Sequence, residues 1–315
     1  MELRRLGQSE LHIAPLMLGG NVFGWNVDEA TSFAILDAFV DAGFNAIDTA
    51  NTYSRWVPGH QGGESETIIG NWLKRSGKRD KVVIASKVGE DMGYGRGLKT
   101  SDILREAENS LRRLQTDRID LYQTHFDDPN TAPDDTLQAY AQLIAQGKVR
   151  AIGASNISAA RLQASLDSSK RLGLARYESL QPRYNLYDRA AFERDFEPIC
   201  VRERIGVITY YSLAAGFLTG KYRSQGDLGK SAARAPRIKD FLNARGLRIL
   251  QALDDVAARH AATPAQVSLA WLMARPCVTA PIVSATSPAQ LDEILKAVQI
   301  KLSGDDIAAL DAASA

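Results

Sequence analysis

Asp48, Tyr53, Lys87 and His125 are polar residues of complementary acid–base character, each standing at or just beyond the end of a short apolar run. Together they suit one task, the delivery of a proton to a carbonyl oxygen. A tyrosine hydroxyl at its reference pKa of about 10 is a weak acid at neutral pH. A neighbouring lysine ammonium favours the phenolate and is expected to lower that pKa, while an aspartate paired with the lysine keeps it charged and in place. A neutral histidine can hydrogen-bond the same oxygen or relay the proton. Such a set accepts negative charge developing on oxygen while a hydride arrives at carbon. No side chain supplies a hydride, so a cofactor is required. Each residue alone has an ordinary structural role; only their convergence on one place argues for chemistry.

That convergence depends on the elements that carry them. Short runs rich in β-branched residues predict eight strands, at Leu16–Leu18, Ala46–Asp48, Val82–Ser86, Leu121–His125, Val149–Ala154, Ser179–Gln181, Val207–Tyr210 and Ala280–Val283. Between them the apolar period changes to that of a helix. Leu137, Tyr140, Ala141 and Ile144 form one helical stripe, and Gly147 follows as a terminator. Ser101 is the expected cap of a helix bearing Ile103, Ala107 and Leu111, and Thr263-Pro264-Ala265-Gln266 reads as a capping box. Apolar strands joined by helices mean a parallel sheet covered on both faces. Eight such units in 315 residues fit one (β/α)8 barrel of α/β class, spanning 1–315 as a single domain. A hairpin over Arg4–Ile13 precedes it, and a long loop, Ala215–Ala244, follows the seventh strand. In such a barrel the C-terminal strand ends form the mouth. Asp48, Lys87, His125, Ser155, Asn156, Gln181 and Tyr210 all fall there, with Tyr53 in the loop after the second strand.

Composition narrows the class. Apolar residues make up 45% and charged residues 24%, ordinary for a soluble globular protein. Lys+Arg 38 against Asp+Glu 37 leaves a net charge of +1, without the basic excess of a nucleic-acid binder. The uncharged stretch Ile205–Gly220 is short for a membrane span and is broken by polar residues. The first ten residues hold no apolar core of a secretory signal. Cys200 and Cys277 build no disulfide framework, and the four histidines have no metal-ligand spacing, so no metal is expected. The expected setting is cytoplasmic. Nucleotide motifs fail in turn. Gly19 and Gly24 have P-loop spacing, but Trp25-Asn26 replace the required Lys and Ser/Thr. Gly93, Gly95 and Gly97 give G-x-G-x-G, too far from the next helix for a Rossmann site. A dinucleotide must therefore bind by another arrangement.

The ordered stretches Asp48-Thr49-Ala50-Asn51-Thr52-Tyr53, Gly62-Gly63-Glu64-Ser65-Glu66, Ala85-Ser86-Lys87, Asp120–His125, Gly153-Ala154-Ser155-Asn156, Gln181–Asn185 and Leu218–Tyr222 resemble those of an aldo-keto reductase along almost the whole chain. The resemblance implies a (β/α)8 barrel that binds NADP(H) extended across the strand ends and reduces aldehydes and ketones. It implies a catalytic tetrad of Asp48, Tyr53, Lys87 and His125, with Tyr53 as general acid. Ser155, Asn156 and Gln181 would hold the nicotinamide carboxamide, Tyr210 would stack on its ring, and Leu213, Gly216 and Lys221 would lie along the pyrophosphate. Where relatives often have Tyr-Ser-Pro-Leu, this chain has Tyr210-Tyr211-Ser212-Leu213, so either tyrosine could be the stacking ring, with the alignment favouring Tyr210. At the place of the 2′-phosphate the chain offers Ser284, Thr286, Ser287 and Gln290, without the Lys or Arg common in relatives, so NAD(H) remains possible. Trp25, Trp56 and Phe126 would wall a pocket for a small carbonyl substrate. No nucleic-acid or membrane partner is expected, and the chain would work as a monomer or small homo-oligomer. Two other classes compete: an NADP(H)-binding regulatory subunit with little turnover, and a Schiff-base lyase using Lys87, which ion pairing would make a poor nucleophile.

Overall fold

A computed structural model describes residues 1–230 and 235–315. The chain opens with an antiparallel pair, β1 (Arg4–Arg5) and β2 (His12–Ile13), in register Arg4 with Ile13. Eight parallel strands follow: β3 (Met17–Gly19), β4 (Ala46–Asp48), β5 (Val83–Val88), β6 (Ile119–Thr124), β7 (Val149–Ser155), β8 (Tyr177–Gln181), β9 (Gly206–Thr209) and β10 (Val278–Val283). They close in sequence order, with β10 pairing both β3 and β9. This is the expected (β/α)8 barrel with its N-terminal hairpin. Strand ends shift by a few residues from expectation. Lys87, expected just beyond its strand, lies inside β5.

Helices α1 (Glu29–Asp41), α2 (Glu64–Ser76), α3 (Thr100–Leu114), α4 (Pro133–Ala145) and α5 (Ala159–Leu172) fill the first crossovers. Two short helices, α6 (Ala190–Asp195) and α7 (Glu197–Glu203), join β8 to β9. Four more, α8 (Ala235–Lys239), α9 (Ala244–Arg259), α10 (Pro264–Met273) and α11 (Pro288–Leu295), flank β10, and α12 (Gly304–Ser314) ends the chain. The Thr263–Gln266 capping box opens α10, with Thr263 Oγ1 and the Gln266 side chain each answering the other's backbone N–H. Ser101 is no cap. Helix α3 begins one residue earlier, and Lys99 stands at the N-cap without a side-chain bond. The expected long loop is also more regular than its Gly- and Lys-rich sequence suggests. It holds 3-10 turns at Ala214–Thr219 and Gln225–Lys230 and then α8, while its residues 231–234 lie outside the described part.

Two apolar cores result. One lies between the barrel and its helices, with Trp72, Tyr122, Tyr140 and Trp271 fully buried. The other lies inside the barrel, where Leu6, Leu11 and Ile13 of the hairpin region meet Met17, Val83 and Leu121. Side chains alternate across a strand, so Val83, Ala85 and Lys87 of β5 share the inner face, as do Leu121 and Gln123 of β6. The same inward stripe thus turns from apolar at the hairpin end to polar at the opposite end.

Candidate active site

At that polar end, Asp48 closes β4 and Lys87 projects from β5. Lys87 is fully buried and Asp48 nearly so. Lys87 Nζ donates to both Asp48 carboxylate oxygens at 2.7 Å, to the Thr49 carbonyl at 2.8 Å and to the Tyr53 hydroxyl at 2.8 Å. Tyr53 in turn donates to Asp48 Oδ2 at 2.8 Å. Gln181, from the far side of the barrel, donates to Asp48 Oδ1 at 2.9 Å. A buried charge pair is tolerable only when its remaining hydrogen-bonding capacity is met, and here it is.

The Tyr53 loop is held from several sides. Thr49 N–H donates to the Ala85 carbonyl, Thr49 Oγ1 meets Ser65 Oγ at 2.8 Å, and Ser65 reaches the Gly20 carbonyl. Ser54, at φ 72, fixes its hydroxyl on the Phe23 carbonyl. The Tyr53 ring lies under Lys87 Nζ at 4.6 Å and faces the His125 ring at 6.1 Å. The structure therefore brings all four residues together.

The expected electrostatics need correction. Burial, and after it the Asp48 carboxylate, push the Tyr53 hydroxyl well above its ordinary pKa, against the lowering expected from Lys87. The resting tyrosine is firmly protonated. Burial also pulls Lys87 down, although Asp48 opposes this. His125 is held well below 6.5, first by burial and then by the Lys87 and Arg96 charges, so its ring is neutral. In the unfolded chain this histidine would bind a proton below pH ~6.5. The native state binds fewer protons there, so stability should fall as pH drops through that range, by at most about 1.4 kcal/mol per pH unit. Urea midpoints at pH 5 and 7.5 should differ less in His125→Gln than in the parent; equal differences would mean that His125 titrates alike in both states.

The remaining predicted residues gather on the same face. Ser155 Oγ donates to the Gln181 carbonyl at 2.9 Å. Asn156, at φ 45, donates to the His125 carbonyl at 2.8 Å and accepts from the Tyr210 hydroxyl at 3.0 Å. Tyr211 turns instead between the guanidinium groups of Arg183 and Arg237, at 5.1 and 5.5 Å. Beyond it the backbone runs through left-handed residues at Ala214, Ala215 and Gly216. Side chains at such angles cost about 1 kcal/mol each. Bonds from Gly216 and Leu218 N–H to the Leu213 carbonyl hold this turn. Lys221 is exposed just after it. Arg223, two residues further on, pairs with Asp254 at 2.7 Å.

Around the eighth barrel strand, Ser284 donates to Asn21 Oδ1 at 2.5 Å. Thr286 donates through N–H and Oγ1 to Gln290 Oε1, and Ser287 Oγ caps α11 by accepting from Gln290 N–H. Among the described residues, none of these four contacts a cation. Trp25 and Trp56 pack edge-to-face at 5.5 Å, with Trp56 against Tyr53 at 6.2 Å. Phe126 stands beside His125 at 5.0 Å and carries Arg96 on its face at 4.4 Å. Asn21 and Arg96 were missed from sequence. Asn21 could have been found, since it follows the end of β3; Arg96 sits in the glycine-rich stretch set aside as a failed phosphate motif.

The fold and site are thus a closed parallel barrel with a buried Asp–Lys pair bonded to a tyrosine at its mouth. The profile of the Aldo/keto reductase family matches residues 15–315, and the chain belongs to that family. It is 37% identical to an uncharacterized oxidoreductase, YrpG, of Bacillus subtilis over 96% of this chain and 92% of that one. An aldo-keto reductase of the same organism, YhdN, is 32% identical over 95% of this chain and 87% of its own length. A probable voltage-gated potassium channel subunit beta of Arabidopsis thaliana is 30% identical over 95% and 92%. The protein is thus an NAD(P)H-dependent oxidoreductase of this family. Among the described residues, no helix is long and apolar enough to cross a membrane.

Proposed function

We propose that residues 1–315 act as one barrel unit in the cytoplasm, reducing small aldehydes and ketones to alcohols with Tyr53 as the acid. The observation that carries this reading is the convergence of Asp48 and Lys87 on the Tyr53 hydroxyl, with a neutral His125 facing the same ring. The donor set fits a nicotinamide coenzyme: Gln181 and Asn156 offer amide groups, Ser155 a hydroxyl and Tyr210 a ring, all at adjoining strand ends. Those residues would hold the carboxamide and ring, with the Leu213–Gly216 turn and Lys221 along the pyrophosphate. When bound, the reduced coenzyme supplies a hydride to the carbonyl carbon.

The chain's own residues manage the oxygen. The neutral His125 ring has Nδ1 buried without a partner, which favours the proton on Nε2, where it can donate to the substrate oxygen and orient it. Tyr53 exchanges its bond to Asp48 for one to the same oxygen. As negative charge develops there, the proton leaves Tyr53 Oη, and Lys87 Nζ, already 2.8 Å away, stabilises the phenolate left behind. Asp48 keeps Lys87 charged against the desolvation that would neutralise it. Trp25, Trp56 and Phe126 shield the exchange from water. The test is oxidation of the coenzyme in the presence of a panel of aldehydes, ketones and sugars. Tight coenzyme binding without turnover on any of them would favour a regulatory role, the reading that the similarity to a channel subunit keeps open.

NADPH should be preferred to NADH. Ser284 and Ser287 hydroxyls and the N-terminal field of α11 can receive a 2′-phosphate, and no acidic residue between Ser284 and Gln290 repels it. Without a cation, however, the preference should be only about one to two decades in kcat/KM, the scale of a few hydrogen bonds. Ser287→Arg should widen it. A preference for NADH, or no response to the arginine, would mean the 2′-phosphate is read elsewhere.

A further inference from the structure

Helix α3 buries an acid that packing does not require. Its inner stripe is Ile103, Ala107, Ser110 and Leu111, and among them stands Glu106, 3% exposed. Burying a carboxylate is costly unless it is fully bonded, and an apolar side chain at this position would pack at no such cost. Glu106 is fully bonded. Oε2 accepts from Asn51 Nδ2 at 3.1 Å, and Oε1 accepts from Asn109 Nδ2 at 2.9 Å, from the Tyr94 hydroxyl and, more distantly, from Arg105 Nε at 3.5 Å. Burial alone would raise its pKa, but the bonds from Tyr94, Asn51 and Asn109, together with the Arg113 charge, outweigh burial and hold it below the usual carboxylate range.

The partners say what the acid is for. Asn51 is fully buried and sits between Asp48 and Tyr53, in the turn that carries the proposed acid. Gly62, at the far end of the same loop, closes over the Asn51 carbonyl so tightly that an added Cβ would stand 2.9 Å from it. Tyr94 belongs to the next loop, between β5 and α3, which also bears Arg96 on the face of Phe126. One carboxylate thus ties both loops that wall the mouth to a rigid helix. We propose that Glu106 is a positioning residue, holding Tyr53 in place through Asn51 and fixing it relative to the Arg96–Phe126 wall through Tyr94. The inference rests on Tyr53 being the acid, and it adds the means by which the loop places it.

Two variants test it. Glu106→Gln leaves one acceptor oxygen for four donors, and Asn51→Ala removes a single bond while Glu106 keeps Tyr94, Asn109 and Arg105. Displacement of a reacting group by about 1 Å can cost up to about a hundredfold, so kcat for carbonyl reduction should fall about ten- to a hundredfold in both, with coenzyme KM changed less than about twofold. In a Tyr53→Phe background the same substitutions should cost less than about twofold, because they act through a hydroxyl no longer present. A coenzyme-free readout accompanies this. Trp72 and Trp271 are fully buried, so acrylamide reaches chiefly Trp25 and Trp56. Trp56 shares the Tyr53 loop, and quenching should rise in Asn51→Ala. If Glu106→Gln does not fold, Asn51→Ala carries both readouts alone. Unchanged kcat in folded Asn51→Ala, equal losses with and without the Tyr53 hydroxyl, or a loss confined to coenzyme KM would overturn the positioning role. Full turnover in Tyr53→Phe alone would instead sink the acid assignment, and unchanged quenching would separately remove the tie between Asn51 and the loop.

Discussion

Tyr53→Phe should lower carbonyl reduction by roughly two to four decades, the usual scale of general acid catalysis. The substitution removes one oxygen and keeps the ring, so the contacts with Trp56 and His125 survive. The structure sharpens the expectation. Tyr53 is held protonated in the resting protein by burial and by Asp48, so it is a poor proton donor until charge develops on the substrate oxygen. Its proton should therefore move late, together with carbon–hydrogen bond formation, and the parent protein should show no loss of reduction rate from Tyr53 ionisation up to pH ~10. Coenzyme affinity should barely change, because the hydroxyl bonds Asp48 and Lys87 and none of the residues proposed to hold the coenzyme; Gln181 is linked to it only through Asp48. Phenylalanine at this position with near-parental turnover would remove Tyr53 from the acid role, and His125 would become the next candidate.

How far the sequence carried this reading depends on the range of the physics involved. The eight strands and the capping box at Thr263 are local patterns, and periodicity and capping chemistry are enough to find them. The convergence of Asp48, Lys87 and Tyr53 followed from topology, because parallel strands place all their C-terminal ends on one face. Long-range electrostatics were not legible. That Tyr53 is pushed up rather than down depends on its burial against Asp48, and Gln181 reaches Asp48 from 133 positions away. Nor could local pattern show that Arg223 pairs with Asp254, which lies on α9. Glu106 passed unremarked because, read locally, it is one more acid on an amphipathic helix. By contrast the Thr286–Gln290 bonds are i, i+4 and sit at a capped helix start, so their engagement could have been foreseen.

Lys87 and Asp48 should behave as one unit, in activity and in stability. Lys87→Met removes the cation that stabilises the phenolate and leaves Asp48, 2% exposed, with Tyr53 and Gln181 as its remaining donors among the described residues. Activity should fall by at least about a hundredfold, and breaking a buried pair from one side should cost about 3–5 kcal/mol of stability. Asp48→Asn is milder. Its amide oxygen can still accept from Lys87 Nζ, which also keeps the Thr49 carbonyl and the Tyr53 hydroxyl. Activity should therefore fall less than in Lys87→Met. The double variant separates a shared role from two independent ones. If Asp48 acts only by holding Lys87, then once the lysine is gone the aspartate has nothing left to contribute, and the double variant should be little less active than Lys87→Met. Its stability should even recover part of the loss, since no uncompensated buried charge remains. Denaturant midpoints and kcat measured on all four proteins complete the cycle. Losses that simply add, in rate and in stability alike, would show that Asp48 bears on the substrate oxygen or on Tyr53 directly, and the bond from Tyr53 Oη to Asp48 Oδ2 would then be the one to interrupt next.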